Sequence, residues 1–242
     1  MPVHRRIIFL AVLLLLAAGP VWSTGISKAR EIKFAGLTAL IDSGVEVMLI
    51  DARAPTPYLN GHIPTAVNIP GYLFDDDIIP GLPPDRSTPI VTYCRGGHCG
   101  VSWYAADRLL DMGYTKVFVY NGGSEGWQKS GNVLITKKHE GLPQIKLDDL
   151  KALLATGANV RLRDAREPAQ FAAFSLPGAK SLPLPTCRPG AAGMPPSADD
   201  LVVVFGQSRW DGRAFHVADR LRAWGFKKVR VFTGGVHEWR KQ

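Results

Sequence analysis

The sequence predicts an α/β protein with two tandem domains, each built on a mostly parallel sheet flanked by helices. Short runs of β-branched and apolar residues alternate with segments in which apolar residues recur at helical spacing. That alternation is typical of parallel strands whose connecting helices cover both faces of the sheet. A second observation, an internal repeat, predicts that this unit occurs twice in the 242 residues.

The repeat is visible in short motifs that recur at a nearly constant distance. Asp51-Ala52-Arg53 returns as Asp164-Ala165-Arg166, an offset of 113 residues. The Gly-Gly-x-x-x-Trp segment 122–127 returns at 234–239, an offset of 112 residues. An offset that stays within one residue over such a distance indicates a duplicated domain.

The N-terminus is typical of a secretory signal peptide. Arg5 and Arg6 precede the apolar run 7–18, which is shorter than the roughly 20 residues that a membrane-spanning helix needs. We predict a signal peptide at 1–23 and domains at 24–138 and 139–242. The expected location is periplasmic or secreted, and the alternative is a protein anchored to the membrane by its N-terminus. No other membrane contact is expected.

The elements of the first domain follow from local patterns. Gly44 ends an amphipathic helix that begins at Ile26. The predicted strands are short and rich in β-branched residues, and the helix after the central loop has apolar residues at 101, 105, 109 and 112. In chain order the predicted elements are helix 26–44, strand 47–50, strand 89–93, helix 101–112, strand 117–120 and helix 124–129.

The loop between the strand 89–93 and the helix 101–112 carries the strongest chemical signal. It begins with Cys94 and contains three glycines. A strand, a glycine loop and a helix bring several backbone N–H groups to the positive end of the helix dipole. These groups and Arg95 lower the pKa of a cysteine thiol, so the pattern predicts a nucleophilic thiolate. The alternative is that Cys94 is only a buried strand-end cysteine, which gives no reason for the glycines.

Four motifs of the first domain resemble the rhodanese family of sulfurtransferases, and the likeness covers nearly all of the chain after the leader. They are Asp51-x-Arg53, the Gly-His-Ile-Pro-x-Ala-x-Asn-Ile-Pro segment 61–70, the Tyr-Cys-Arg-x-Gly loop 93–97 and the Gly-Gly-x-x-x-Trp segment 122–127. The resemblance implies two rhodanese-like domains. It also implies an enzyme that moves sulfane sulfur through a persulfide of Cys94.

The resemblance also implies the substrates. The donor would be thiosulfate or a persulfide, and the acceptor a thiol or cyanide. No metal or organic cofactor is needed. Cys94 is the predicted catalytic residue, and the predicted substrate-binding residues are Arg95, Gly96, Gly97, His98, Cys99 and Gly100.

The second copy departs from the family pattern where chemistry would occur. Gly206 corresponds to Cys94 and Ser175 corresponds to His62, so the second domain is predicted to be inactive. In the first loop Cys99 stands where the family often has arginine, which argues against thiosulfate as the physiological donor. Asp51 and Arg53 are predicted to form a structural ion pair.

Two other functions stay open at this point. Cys94 and Cys99 could carry out thiol–disulfide redox chemistry or sensing. The protein could also be a non-enzymatic sulfur-relay scaffold. Residues 139–242 hold 16 basic and 10 acidic side chains, so this domain could dock a protein partner. No nucleic-acid motif is present. A cysteine phosphatase is disfavoured because Gly100 occupies the position of its oxyanion-binding arginine.

Overall fold

The computed structural model describes residues 27–75, 79–97 and 99–241. The predicted leader, 1–23, lies outside the described residues. The chain forms two five-stranded sheets in which every strand pair is parallel. The predicted tandem α/β architecture is therefore confirmed. Within the described ranges, no helix combines the length and apolar character needed to cross a membrane.

The first sheet has the strand order β1-β5-β4-β2-β3, which puts β4 at its centre. A 3₁₀ helix at Gly71–Asp75 lies between β3 and β4. The other elements are β1 Arg30–Glu31, α1 Phe34–Asp42, β2 Met48–Asp51, α2 Pro55–Asn60, β3 Val67–Asn68, β4 Ile90–Tyr93, α3 Gly100–Asp111, β5 Val117–Tyr120 and α4 Gly123–Lys129.

The predicted helix 26–44 is wrong in its first part. Arg30–Glu31 form the edge strand β1, which pairs with β5 in parallel. The pairing continues where Ile32 N donates to Val119 O at 2.9 Å. A two-residue strand is too short to leave a period-2 pattern in the sequence, and its partner lies almost 90 residues away.

The second sheet repeats the first, with the order β6-β10-β9-β7-β8. A short helix, α5 at Lys137–Glu140, connects the two domains. The remaining elements are β6 Gln144–Ile145, α6 Leu147–Ala155, β7 Val160–Asp164, α7 Pro168–Ala173, β8 Lys180–Ser181, a 3₁₀ helix Leu184–Thr186, β9 Leu201–Phe205, α8 Arg213–Ala223, β10 Lys228–Phe232 and α9 Gly235–Trp239.

Strand register confirms how the two copies align. Asp51 pairs with Tyr93 in the first sheet, and Asp164 pairs with Phe205 in the second. The residue after Phe205, Gly206, therefore occupies the place of Cys94, as the repeat predicted. Alternate strand residues point to opposite faces of each sheet, and apolar clusters cover both faces.

The second domain packs against the first through the segment that follows β9. Trp210 is 3% exposed and belongs to the same buried cluster as Leu37 and Trp127 of the first domain. Nearby, His216 Nε2 lies 2.7 Å from Leu134 O. The loop that corresponds to the cysteine loop is thus part of the domain interface.

Candidate active site

Cys94 lies at the carboxyl end of the central strand β4, where ligand sites form in open parallel sheets. The base of its loop is fixed to the start of α4: Ser124 N donates to Cys94 O at 3.0 Å, and Glu125 N donates to Arg95 O at 2.9 Å. Gly123 has a φ of +60°, and a Cβ there would lie 2.5 Å from Cys94 O. Only glycine permits this approach, so the position of Cys94 is set by backbone contacts.

The far side of the loop turns back onto the start of α3. Cys99 N donates to Gly96 O at 3.0 Å, and Cys99 is the residue that precedes the first turn of α3. Gly97 and Gly100 are exposed, whereas Cys94 is 5% exposed. The predicted loop residues are therefore brought together around the N-terminus of a twelve-residue helix. His98 lies outside the described residues.

The two cysteines of this loop are joined. Cys94 and Cys99 form a disulfide, with their Cα atoms 6.1 Å apart, a separation that bridged cysteines ordinarily span. The loop is thus in its oxidised state, and reduction would free two thiols. The pairing that the sequence left open is present, between an intact β4 and an intact α3.

Arg95, the basic residue of the loop, forms an ion pair with Glu125. Arg95 Nε donates to Glu125 Oε1 at 2.5 Å, and the Arg95 side chain is 79% exposed. The hydrogen bond from Arg95 lowers the pKa of Glu125, so the carboxylate stays charged and offsets the guanidinium.

The predicted Asp51–Arg53 ion pair is present beneath the loop. Arg53 Nη2 lies 2.6 Å from Asp51 Oδ2 and also donates to Gly61 O at 2.7 Å. Asp51 is fully buried, so its charge is stabilised by this pairing. The pair ties the end of β2 to the segment 61–70 and has a structural role.

His62 is also held structurally. Its ring is fully buried, with Nδ1 3.0 Å from Tyr58 O and Nε2 2.8 Å from Glu140 Oε1. Burial acts to raise the pKa of Glu140, but hydrogen bonds from Lys137 and His62 outweigh it and lower that pKa. Both ring nitrogens are occupied, and the contact joins the first domain to α5.

In the second domain a carboxylate fills the corresponding loop. A Cβ at Gly206 would lie 2.5 Å from Asp211 Oδ2. That carboxylate accepts from Gln207 N at 2.7 Å and from Arg213 Nη2 at 2.9 Å. The Asp211 carboxylate therefore occupies the space that a cysteine side chain would need.

Sequence reasoning missed Asp211, although a signal was available. Asp211-Gly212-Arg213 has the same Asp-x-Arg spacing as Asp51-Ala52-Arg53, which was recognised as an ion pair. The third cysteine, Cys187, is 4% exposed within an apolar cluster, and burial raises the pKa of its thiol. Among the described residues, no group of three or more His, Cys, Asp or Glu side chains is arranged to hold a metal.

The fold and the loop define a class of α/β protein with a cysteine at the carboxyl end of the central strand, followed by a glycine-rich turn into a helix. The Rhodanese-like domain family matches residues 35–130 and 146–242 of the chain. The protein belongs to this family, with two copies of the domain in tandem.

Several known proteins are similar to parts of the chain. A "Sulfurtransferase" of Allochromatium vinosum is 32% identical over 102 residues, which are 42% of this chain and 91% of that protein. The "Thiosulfate sulfurtransferase GlpE" of Stutzerimonas stutzeri is 30% identical over 34% of this chain and 70% of that protein. The crystal structure of a thiosulfate sulfurtransferase from Pseudomonas aeruginosa is 25% identical, with a TM-score of 0.39, over 88% of this chain and 42% of that one.

Proposed function

We propose that the protein is a sulfurtransferase in which the reduced Cys94 accepts sulfane sulfur as a persulfide and passes it to a thiol or to cyanide. One observation carries the proposal. Cys94 lies between the end of the central strand and the N-terminus of α3, on a loop base anchored to α4. Membership of the rhodanese family and the names of the similar proteins support the same chemistry.

The proposed reaction is a two-step covalent transfer. The Cys94 thiolate attacks the outer sulfur of the donor, and the donor's thiolate or sulfite departs. The negative charge of the resulting persulfide lies near the N-terminus of α3 and the backbone N–H groups of the loop. Hydrogen-bond donors that are already oriented stabilise this charge without reorganisation, as in an oxyanion hole. An acceptor nucleophile then removes the outer sulfur.

We infer that an organic persulfide, whose charges lie apart from one another, is a better donor than thiosulfate, which is a compact dianion. Arg95 is paired with Glu125, and Cys99 occupies a position where a second cation would help to hold a dianion. The comparison of kcat/KM for glutathione persulfide and for thiosulfate tests this inference. A higher value for thiosulfate would contradict it.

The experiment that tests the transferase proposal is mass spectrometry of the intact, reduced protein after a brief exposure to each donor. We expect one added sulfur in the wild type and in Cys187→Ser, and none in Cys94→Ser. Cys187→Ser is the matched control because Cys187 is buried in the second domain. Sulfur added equally to Cys94→Ser would overturn the assignment of the nucleophile.

A second candidate function is thiol–disulfide exchange, which the Cys94–Cys99 disulfide favours. In that case a donor would oxidise the reduced protein by two hydrogens without any persulfide stage. The same mass measurement at early times separates the two functions, because only the transferase passes through a form that is heavier by one sulfur.

We also propose, from the predicted leader 1–23, that the protein is exported. From the basic character of the second domain we propose that a protein partner docks on that domain. An exported location would keep the loop disulfide oxidised until a reductant acts on it. Cell fractionation followed by alkylation of free thiols tests the location. Recovery of the full-length protein in the cytoplasm with both loop thiols reduced would contradict it.

A further inference from the structure

We propose that Cys99 resolves the Cys94 persulfide, so that the loop releases hydrogen sulfide and closes the Cys94–Cys99 disulfide. The protein would then act as a persulfide reductase whose final acceptor is an external dithiol. This inference rests on the proposed function, because it begins from the Cys94 persulfide. It assigns the disulfide of the structure a place in the reaction as the product of sulfide release.

Cys99 can reach the inner sulfur of the persulfide. The disulfide shows that Cys99 Sγ can bond directly to Cys94 Sγ, the inner sulfur of the persulfide. Both cysteines are held by backbone contacts that do not depend on the bridge: Cys94 O accepts from Ser124 N, and Cys99 N donates to Gly96 O. After reduction these contacts keep the two thiols on the same side of a short loop.

Cys99 also has better access to Cys94 Sγ than a dissolved thiol has. Cys94 is 5% exposed, so a dissolved thiol has little access to Cys94 Sγ, the inner sulfur at which attack releases sulfide. Cys99 is partly exposed and already lies within the loop. A nucleophile held in place reacts as though it were present at very high concentration, so Cys99 has the advantage over a dissolved thiol.

The position of Cys99 at the N-terminus of α3 favours the thiolate form of its side chain. Cys99 immediately precedes α3, where the helix dipole and the free N–H groups of the first turn favour a thiolate. Cys187 does not compete with Cys99, since it is buried in the second domain and burial raises the pKa of its thiol. Of the two thiols outside the persulfide, only Cys99 lies next to Cys94.

The proposed step is balanced in atoms and electrons. Cys99 loses its proton to solvent, and its sulfur forms a bond to Cys94 Sγ. The bond between Cys94 Sγ and the outer sulfur breaks, and its electron pair leaves with the outer sulfur as hydrosulfide. Cys99 is oxidised to disulfide level, while the outer sulfur is reduced from sulfane to sulfide.

A second reaction resets the loop. An external dithiol reductant attacks the disulfide, becomes a disulfide itself and leaves Cys94 and Cys99 as thiols. Over one cycle, a donor persulfide and a dithiol yield a thiol, hydrogen sulfide and a disulfide. The exposure of Gly97 and the partial exposure of Cys99 leave that side of the loop open to such a reductant.

The test is a single-turnover experiment on the full-length protein. The reduced wild type, Cys99→Ser and Cys187→Ser are each mixed with one equivalent of glutathione persulfide and desalted rapidly. Released sulfide and intact mass are then followed without added thiol. We expect the wild type and Cys187→Ser to release one sulfide per chain and to end two hydrogens lighter than the reduced protein. Cys99→Ser should retain the added sulfur at least about tenfold longer.

The outcomes separate this inference from the proposed function. If the wild type holds its added sulfur as long as Cys99→Ser does, resolution by Cys99 is overturned and the transferase proposal stands. If neither protein gains sulfur, the transferase proposal fails, and this inference fails with it. Sulfur uptake by Cys99→Ser also shows that the variant loop is folded, and Cys99→Ala provides a second variant with the same expected result.

Discussion

The loops 94–99 and 206–211 occupy equivalent places in the two domains but have opposite environments. The first loop opens to solvent at Arg95 and Gly97, and it holds two cysteines joined to each other. The second turns inward, with Trp210 buried against the first domain and Asp211 filling the space beside Gly206. The second loop therefore differs from the first by more than the absence of a cysteine, because it forms part of the domain interface.

The charged pairs of the two loops show the same contrast. Arg95 and Glu125 pair in solvent, with side chains 79% and 43% exposed. Arg213 and Asp211 pair at the interface, with side chains 11% and 4% exposed. An exposed pair contributes little to stability, whereas removal of one partner of a buried pair leaves an uncompensated charge. We therefore expect the second loop to matter for stability and the first for chemistry.

The largest expected effect on stability comes from Trp210→Ala. This substitution leaves a cavity in the cluster that Trp210 shares with Leu37 and Trp127, and we expect a loss of about 4 kcal/mol in the free energy of unfolding. Urea unfolding monitored by circular dichroism measures it. Trp210→Phe is the control and should lose less than half as much. A loss below about 1 kcal/mol for Trp210→Ala would mean that the interface does not depend on this side chain.

Asp211→Ala is expected to have the second largest effect, a loss of about 3 kcal/mol in the free energy of unfolding. The substitution leaves Gln207 N without its acceptor and Arg213 without its carboxylate partner. Thermal and urea unfolding measure the loss. Equal stability in the variant and the wild type would show that the filled second loop contributes nothing to the interface.

His139, in the connecting helix α5, should make the interface sensitive to acid. Burial, followed by the nearby His216, lowers the pKa of His139 from 6.5 to about 4, and its ring centroid lies 4.2 Å from that of His216. The unfolded chain therefore takes up a proton before the folded one does. Stability is fully present above pH 6.5 and is lost as the pH falls toward 4, by about 3 kcal/mol.

His139→Gln is the matched variant for this prediction. Glutamine keeps an acceptor for Thr136 N, which donates to His139 Nδ1 at 3.1 Å, but it does not titrate. Unfolding free energies measured between pH 7 and pH 4 should fall less steeply in the variant than in the wild type. Parallel curves would exclude His139 as the source of the acid sensitivity.

The smallest effect on stability is expected in the first loop. Glu125→Gln removes the charge that Arg95 pairs with, yet both side chains stay in solvent, so the unfolding midpoint should not move beyond experimental error. The free Arg95 should instead lower the KM for thiosulfate while the KM for glutathione persulfide changes little. Steady-state kinetics with the two donors checks this, and a large drop in stability would contradict the solvent-exposed description of the pair.

The features that depend on neighbouring residues were predictable from the sequence. The central strand, the glycine loop with Cys94 at its start, and the Asp51–Arg53 pair all arise from residues close together in the chain, where periodicity and spacing carry the information. The duplication was detectable in the sequence because each domain repeats the same local motifs. These observations determined the fold class and the position of the proposed nucleophile.

The tertiary structure decided what depends on distant partners. Strand β1 exists because it pairs with β5, Arg95 is neutralised by Glu125 thirty residues away, and Trp210 packs into a core of the other domain. No local pattern encodes such contacts, because their partners come together only when the sheets and helices pack. The sequence by itself determined that Cys94 follows the central strand, and only the packed chain decided that one loop faces solvent while its counterpart is closed by a carboxylate.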